Sequence, residues 1–376
     1  MLYELLYPLK EYFFIFNVFK YITFRAFGAA ITSLLICFFI GPKIIRTLNF
    51  RQIGEKIHTG PLTHQNKEGT PTMGGVIILL AIILPSILWC RIDNIYFQLA
   101  VFSTALLGMI GFFDDYLKVI KSYPKGLIAR YKIFGQIFCG GVIAFIIMYA
   151  NPHIYIFDIE KSLIPYSSIS LPFIADGYID LGWGLYIPLV ILIITGTSNA
   201  VNLSDGLDGL ASGLVAISTI TLSTLAYASG NIDLSNYLNI IYIPNSGELF
   251  IFGLTVAGAC IGFLWHNAYP AKVFMGDTGS LSLGAALGCI AICIKKEFLL
   301  IIIGGVFVMQ ALSVIFQILY YKYTKYRFGK GKRLFRMAPL HHHYELSGLH
   351  ENQVVIRLWI IGILLALLSL TTLKIQ

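Results

Sequence analysis

Five short polar segments interrupt an otherwise apolar chain, and each holds residues able to bind a metal or a phosphate. One opens with Asp114-Asp115-Tyr116-Leu117-Lys118. Adjacent carboxylates beside an apolar run are costly unless they are paired or bound to a cation. With a lysine one helical turn on, they can hold Mg²⁺ and a phosphate together; a solvated helix end is the plain alternative. A second segment reads Asn202-Leu203-Ser204-Asp205-Gly206-Leu207-Asp208-Gly209-Leu210. On a helical turn Asp205 and Asp208 share a face that Asn202 continues. A turn that only joined two apolar helices would not need two acids.

The other three segments add complementary groups. Lys67 to Gly75 holds Thr72 and a Gly-Gly pair before an apolar run; glycines let backbone N–H groups approach a ligand, and a helix start favours anions. A Pro turn at a helix start is the structural alternative. Trp265 to Ser280 contains Asn267, Phe274 and Asp277, the last followed by small residues up to Ser280, an arrangement suited to metal plus phosphate. Phe274 can stack on a base or serve as core. Finally, His341, His342 and His343 stand in a row after Pro339. They cannot all face one ligand from a helix, but can form a polar wall over a phosphate site. A zinc site is the competing reading, without the usual ligand spacing or a nearby cysteine.

Carboxylates for Mg²⁺, lysines for phosphates and glycine-rich helix starts point to phosphoryl transfer. No GxxxxGK[ST] motif is present, which excludes a P-loop nucleotidase. The Asp pair is similar to the Asp-rich motif of prenyl-diphosphate enzymes, but Lys118 stands where that motif needs an acid.

The elements that must position these groups follow from composition. Of 376 residues, 57% are hydrophobic and 12% charged, half the charge of a soluble domain, about 25%. The apolar runs are too long and too many to bury in a soluble core. Spans are expected near 21–41, 73–91, 96–113, 133–150, 185–201, 209–228, 248–265, 281–294, 298–322 and 354–373. The eighth is the shortest, and the ninth carries Gly304 and Gly305, where a bend or tilt is expected. The fold class expected is all-α: a polytopic helical membrane protein of about ten spans in one domain, 1–376, with no internal repeat. Met1 to Lys20 lacks the basic region and cleavage site of a signal peptide; its Tyr, Phe and Leu residues suggest an interfacial helix.

The net charge of +8 sits mostly in alternate connections. Segments 42–72, 114–132 and 323–353 are rich in Lys and Arg, whereas 151–184 has Lys161 alone and 229–247 has none. That asymmetry reads as topology rather than nucleic-acid binding. It makes the basic connections, and with them the reactive segments, cytoplasmic, and both termini periplasmic. The six cysteines form no CxxC pair and read as small apolar residues.

The motifs GTPTMGG at 69–75, DDYLK at 114–118, NLSDGLDGL at 202–210, PAKVFMGDTGSL at 270–281 and PLHHHYELSG at 339–348 carry a resemblance over the whole chain. It resembles the phospho-N-acetylmuramoyl-pentapeptide transferase family, within the polyprenyl-phosphate N-acetylhexosamine-1-phosphate transferase superfamily. Ser204 stands where the family usually has Thr, and Tyr344 where Phe is common; neither change removes a charge. The histidine segment is the part most specific to this branch. The resemblance implies a bacterial inner-membrane enzyme that transfers phospho-MurNAc-pentapeptide from UDP-MurNAc-pentapeptide to undecaprenyl phosphate, giving lipid I and UMP. It implies Mg²⁺ at Asp277, with Asp114 and Asp115 beside it and His341 in the catalytic group. Lys67, Thr72, Lys118, Asn202, Asp205, Asp208, Asn267, Ser280, His342 and His343 then line the substrate cleft, and Gly206 and Phe274 fit a uridine pocket. The lipid bilayer is the setting; self-association as a homodimer is compatible with it, and nucleic acid is not a partner. Direct attack by the lipid phosphate is favoured over a covalent Asp intermediate. A sister enzyme using UDP-GlcNAc is the nearest rival, and a transporter, whose acids cluster near the bilayer midplane, the rival of another class.

Overall fold

The computed structural model describes residues 1–50, 69–121, 123, 126–150, 152–157, 161–171 and 178–374. Lys67 and the rest of 51–68 lie outside these described residues. The helices, in chain order, are α1 (Leu2–Leu6), α2 (Ile22–Phe50), α3 (Gly75–Trp89), α4 (Ile95–Val119), α5 (Ala129–Ala150), α6 (Gly182–Ser204), α7 (Leu210–Ser229), α8 (Ile232–Leu238), α9 (Gly247–Asn267), α10 (Gly276–Cys293), α11 (Glu297–Ile303), α12 (Gly305–Phe328), α13 (Leu340–Glu345) and α14 (Glu351–Thr371). Nine described helices are long and apolar enough to cross a membrane, and the apolar α3, at 15 residues, is shorter. The chain is a polytopic all-α membrane protein. The expected N-terminal helix is broken into α1 and two 3₁₀ segments, Tyr7–Glu11 and Phe14–Lys20, with Tyr12, Phe13, Phe14 and Ile15 exposed.

Two features differ from the sequence expectation, and one follows it. The eighth span begins at Gly276 rather than 281, so α3 and not α10 is the short one. Its first turn is polar because Asp277, Thr278 and Ser280 find partners on neighbouring helices: Lys118, Lys132 and Asn202 for Asp277, Asp115 for Thr278 and Asn202 for Ser280. The ninth run divides at Gly304 into α11 and α12, at the expected glycine pair. The connection 151–184, expected only as a loop, holds two antiparallel hairpins. In one, β1 (Ile154–Phe157) pairs with β2 (Lys161–Ile164); in the other, β3 (Ser168–Ser170) pairs with β4 (Tyr178–Asp180). Strands of three or four residues are too short for a period-2 signal to stand out.

The core is centred on α10, which packs against α3, α4, α6, α7 and α9. Within its apolar window 89% of residues are buried, against 22% for α12, which leaves α12 on the outside. Small residues run through α10 (Gly-Asp-Thr-Gly-Ser-Leu-Ser-Leu-Gly-Ala-Ala) and allow the close backbone approach that membrane helices use in place of a hydrophobic drive. At one end of the bundle, Arg25 of α2 makes a two-pronged ion pair with Glu248 of α9 at 3.0 and 2.7 Å. Glu248 also accepts from the Arg91 backbone at 2.9 Å, so α2, α9 and the exit of α3 are tied together there. The end of α4, the starts of α3 and α10, and the ends of α6 and α9 meet at the opposite end.

Candidate active site

The site forms where α4 runs past its apolar stretch. Asp114 and Asp115 lie in its last turns, at 0% and 3% exposure. Nearby, Asp277 lies in the first turn of α10. One carboxylate oxygen from each of the three residues falls within 4.8 Å of the others. Three like charges this close are unfavourable without compensation, and each carboxylate is compensated differently.

Asp114 is held by two ammonium groups, Lys118 Nζ at 2.5 Å and Lys132 Nζ at 2.9 Å. It also accepts from the backbone N–H of Leu127 at 2.7 Å, which folds the connection after α4 back over it. Asp115 accepts from the backbone N–H groups of Asp277 and Thr278 at 3.1 and 2.9 Å, and from the Thr278 hydroxyl at 2.6 Å. It thereby caps α10 from a different helix, where the positive end of the helix dipole favours a carboxylate. Gly276, at φ +73°, turns the chain into α10; a Cβ there would meet Asp115 Oδ2 at 2.7 Å. Asp277 receives Lys132 at 2.5 Å and Lys118 at 3.3 Å on Oδ2, and Asn202 Nδ2 at 2.8 Å on Oδ1. The same Asn202 amide reaches Ser280 Oγ at 2.8 Å. Asp114, Asp115, Lys118, Asn202, Asp277 and Ser280, all expected site residues, thus form one hydrogen-bonded unit.

The donor set suits a hard divalent cation. Three carboxylates offer six oxygens, each with two lone pairs, and Asp277 is the most accessible, its side chain 15% exposed against 0% for Asp114. Lys118 and Lys132 contact the same oxygens a cation would take. Lys132 carries no signal in the sequence beyond being one of the positive charges of segment 114–132, directly before an expected span.

The remaining expected residues build the surroundings. Thr72, buried, lies in a segment stitched to the approach to α10: Phe274 N–H donates to Pro71 O, Gly74 N–H to Phe274 O and Gly75 N–H to Met275 O, each at 2.8 Å. Phe274 itself is half-buried. Asn267 spans the loop after α9, donating to Val273 O at 2.9 Å and accepting from Gly209 N–H at 3.1 Å. Asn202, Asp205 and Asp208 do not share one helical face, because α6 ends at Ser204 and Gly206 and Gly209 fold a turn in its place. Within that turn Asp208 accepts from Ala271 N–H at 3.0 Å, while its own N–H donates to Glu351 at 2.9 Å. Glu351, buried at the start of α14, carried no signal in the sequence beyond being an acid at a span end.

The three histidines diverge as α13 requires. His341 is fully buried and its imidazole lies on Gly206, where a Cβ would meet Nε2. His342 Nδ1 faces Glu345 at 3.0 Å, and His343 Nδ1 accepts from Arg336 N–H at 3.2 Å. The 205–209 turn, the 267–273 loop and α13 form a wall that meets the carboxylate unit through α6 and α10.

Comparison with known proteins bears on this site. The model of the glycosyl transferase family 4 matches residues 97–295, from α4 to the end of α10, and the phospho-N-acetylmuramoyl-pentapeptide-transferase signature 1 matches residues 67–79. Relatives named phospho-N-acetylmuramoyl-pentapeptide-transferase are similar over all of this chain and all of their own length. They include proteins of Citrifermentans bemidjiense at 49% identity, Thermodesulfovibrio yellowstonii at 48% and Gemmatimonas aurantiaca at 49%.

Proposed function

The chain belongs to the phospho-N-acetylmuramoyl-pentapeptide-transferase family, and from that premise we propose how its site works. It is a membrane transferase of peptidoglycan synthesis. In our reading it transfers phospho-MurNAc-pentapeptide from UDP-MurNAc-pentapeptide to undecaprenyl phosphate, giving lipid I and UMP. The observation that carries the reading is the carboxylate unit of Asp114, Asp115 and Asp277 with two lysines at one end of the helices. A soluble nucleotide and a lipid phosphate meet only at a membrane surface. We assign this end to the cytoplasmic face of the bacterial inner membrane and both termini to the periplasm, on the asymmetry of Lys and Arg between the connections.

Two anions must approach each other, and their repulsion is the main barrier. Asp277, with Asp114 and Asp115 beside it, would hold Mg²⁺, which would neutralise charge on the diphosphate. Lys118 and Lys132 exchange their carboxylate partners for phosphate oxygens as substrate enters. Asn202 and Ser280 fix the rotamer of Asp277, and Asp115 fixes the helix that carries it. The lipid phosphate, with a second pKa of about 6, is largely dianionic at neutral pH and needs little help from a base. Its oxygen forms a bond to the sugar-linked phosphorus as the bond to the UMP oxygen breaks, and UMP leaves with that electron pair. Asp114 or Asp115 accepts any remaining proton. Thr72, Asp205, Asp208, Asn267 and His341 to His343 line the cleft, and Gly206 and Phe274 receive the uridine.

The test is Mg²⁺-dependent UMP release from UDP-MurNAc-pentapeptide with undecaprenyl phosphate, run beside UDP-GlcNAc. Release with the first nucleotide alone supports the reading. Folded protein that releases no UMP from it, or only from UDP-GlcNAc, overturns it.

A further inference from the structure

At about 1.5 Å per residue, the 24 residues of α12 span about 36 Å, more than the roughly 30 Å of a bilayer's hydrocarbon core. Its far end therefore emerges into the headgroup layer. That end is built as an interfacial arm. Tyr320, Tyr321, Tyr323 and Tyr326 are all exposed, Tyr326 at 93%, as expected of an aromatic belt. Gly329, at φ +72°, then reverses the chain, and 332–335 runs back along the helix. Thr324 Oγ1 accepts from Lys332 N–H at 2.8 Å, and Gln317 Oε1 accepts from Leu334 and Phe335 N–H at 3.0 and 2.9 Å. The Gln317 amide donates to Phe335 O at 3.1 Å, so a single glutamine clamps the returning strand from both sides.

This hairpin-like arm concentrates one sign of charge. Lys322, Lys325, Arg327, Lys330, Lys332, Arg333 and Arg336 lie on it, and no acid occurs between Glu297 and Glu345. Lys322, Lys325, Arg327, Lys330, Lys332 and Arg333 are exposed, and none of them forms an ion pair among the described residues. A loop that needed charge only to set topology would not need its backbone folded back and clamped. The arm also reaches the candidate site: Arg336 donates from its backbone to His343 Nδ1 and from its guanidinium to Leu346 O.

We propose that the arm formed by the end of α12 and residues 329–336 is a binding surface for anionic phospholipid headgroups of the leaflet at the active-site end, which seats the histidine wall at headgroup level. The occupant is the bulk phospholipid rather than the lipid substrate: the cations are exposed along the end of α12 and the segment after it, whereas the substrate phosphate has the lysines of the carboxylate unit. The proposal rests on the reading that this end lies at the membrane surface. It does not depend on which sugar nucleotide is used.

The test uses the full chain in nanodiscs of equal phosphatidylglycerol and phosphatidylcholine doped with a small fraction of undecaprenyl phosphate, with retained lipids counted by native mass spectrometry. Wild type should retain phosphatidylglycerol in preference. A Lys325→Gln, Lys330→Gln, Lys332→Gln, Arg333→Gln variant should retain it about threefold less, with phosphatidylcholine unchanged, since each cation near such a surface contributes attraction. The Lys325→Arg, Lys330→Arg, Lys332→Arg variant should match wild type. Turnover of the glutamine variant in neutral detergent, within about twofold of wild type, reports that it is folded. Wild-type retention of phosphatidylglycerol should also fall in high salt, where the Debye length shrinks to about 3 Å; that measurement needs no variant. Equal retention in the glutamine variant, insensitivity to salt, or loss of undecaprenyl phosphate in place of phosphatidylglycerol each overturns the proposal. If wild type fails to release UMP yet retains phosphatidylglycerol through these cations, the transferase reading fails and the arm stands.

Discussion

Asp115 and Thr278, 163 residues apart, are joined twice: one carboxylate oxygen accepts both the backbone N–H of Thr278 at 2.9 Å and its hydroxyl at 2.6 Å. Asp115 is thus first the cap of α10, and any role toward the lipid phosphate is added to that one. Asp115→Asn turns an N–H toward Thr278 and leaves a buried donor unmet, at a cost of about 1–3 kcal/mol. The Tm in a thermal-shift assay should fall further for Asp115→Asn than for Asp277→Asn. An equal or smaller fall would mean that the cap contributes little.

Asp277→Asn keeps the Asn202 contact geometry but removes the charge that faces both lysines. UMP release should drop at least about 100-fold, as expected for loss of a metal ligand during phosphoryl transfer. Activity retained at a tenth or more would refute the metal-ligand role.

Lys132 bridges Asp114 and Asp277 at 2.9 and 2.5 Å, so it competes with a cation for their oxygens while also neutralising phosphate. Lys132→Met should lower kcat by about 10- to 100-fold and yet tighten Mg²⁺ binding, measured by titration calorimetry on the enzyme without substrate. Weaker Mg²⁺ binding would remove the competition from the mechanism.

Gly111 is where α4 meets the start of α10: a Cβ there would lie 2.2 Å from Asp277 O. Gly111→Ala changes no charge, but must push α10 away and misplace Asp277. A shift of about 1 Å at a reacting group can cost about 100-fold, so a large kcat loss with intact membrane insertion is expected. Wild-type turnover would show that the two helices separate without moving the carboxylate.

Lys295 and Lys296, in the link between α10 and α11, are fully buried at the other end of the bundle. Burial pushes their ammonium groups down to about 7 and about 8, with Glu297 acting in the opposite sense on both and Cys293 and Asp180 also doing so on Lys295. An unfolded lysine titrates near 10.4. From about pH 7 to 10 the unfolded chain therefore binds more protons, so stability rises with pH across that window. Below about pH 7 both states carry the charges and the penalty is constant. Tm should climb between pH 7 and 9 in wild type, and the climb should flatten in Lys295→Met, Lys296→Met. An unchanged slope in that variant would assign the effect elsewhere.

The sequence by itself determined which segments enter the bilayer, because partition depends on local composition: the spans, the break at the glycine pair 304–305 and the alternation of basic connections could all be read from it. It also determined the residue types that meet, since acids at span ends are too costly to be incidental. What only the tertiary structure decided is how those groups are connected. That Asp115 caps α10, that Lys132 closes the carboxylate unit, that Asp208 braces the 268–273 loop from a turn rather than a helix, and that Glu351 supports it all depend on helices distant in sequence. The physical reason is the reach of a side chain: a hydrogen bond needs its partners within about 3 Å, and nothing in local propensity or periodicity carries that distance. It is set by the close packing of small residues along α10 against its neighbours.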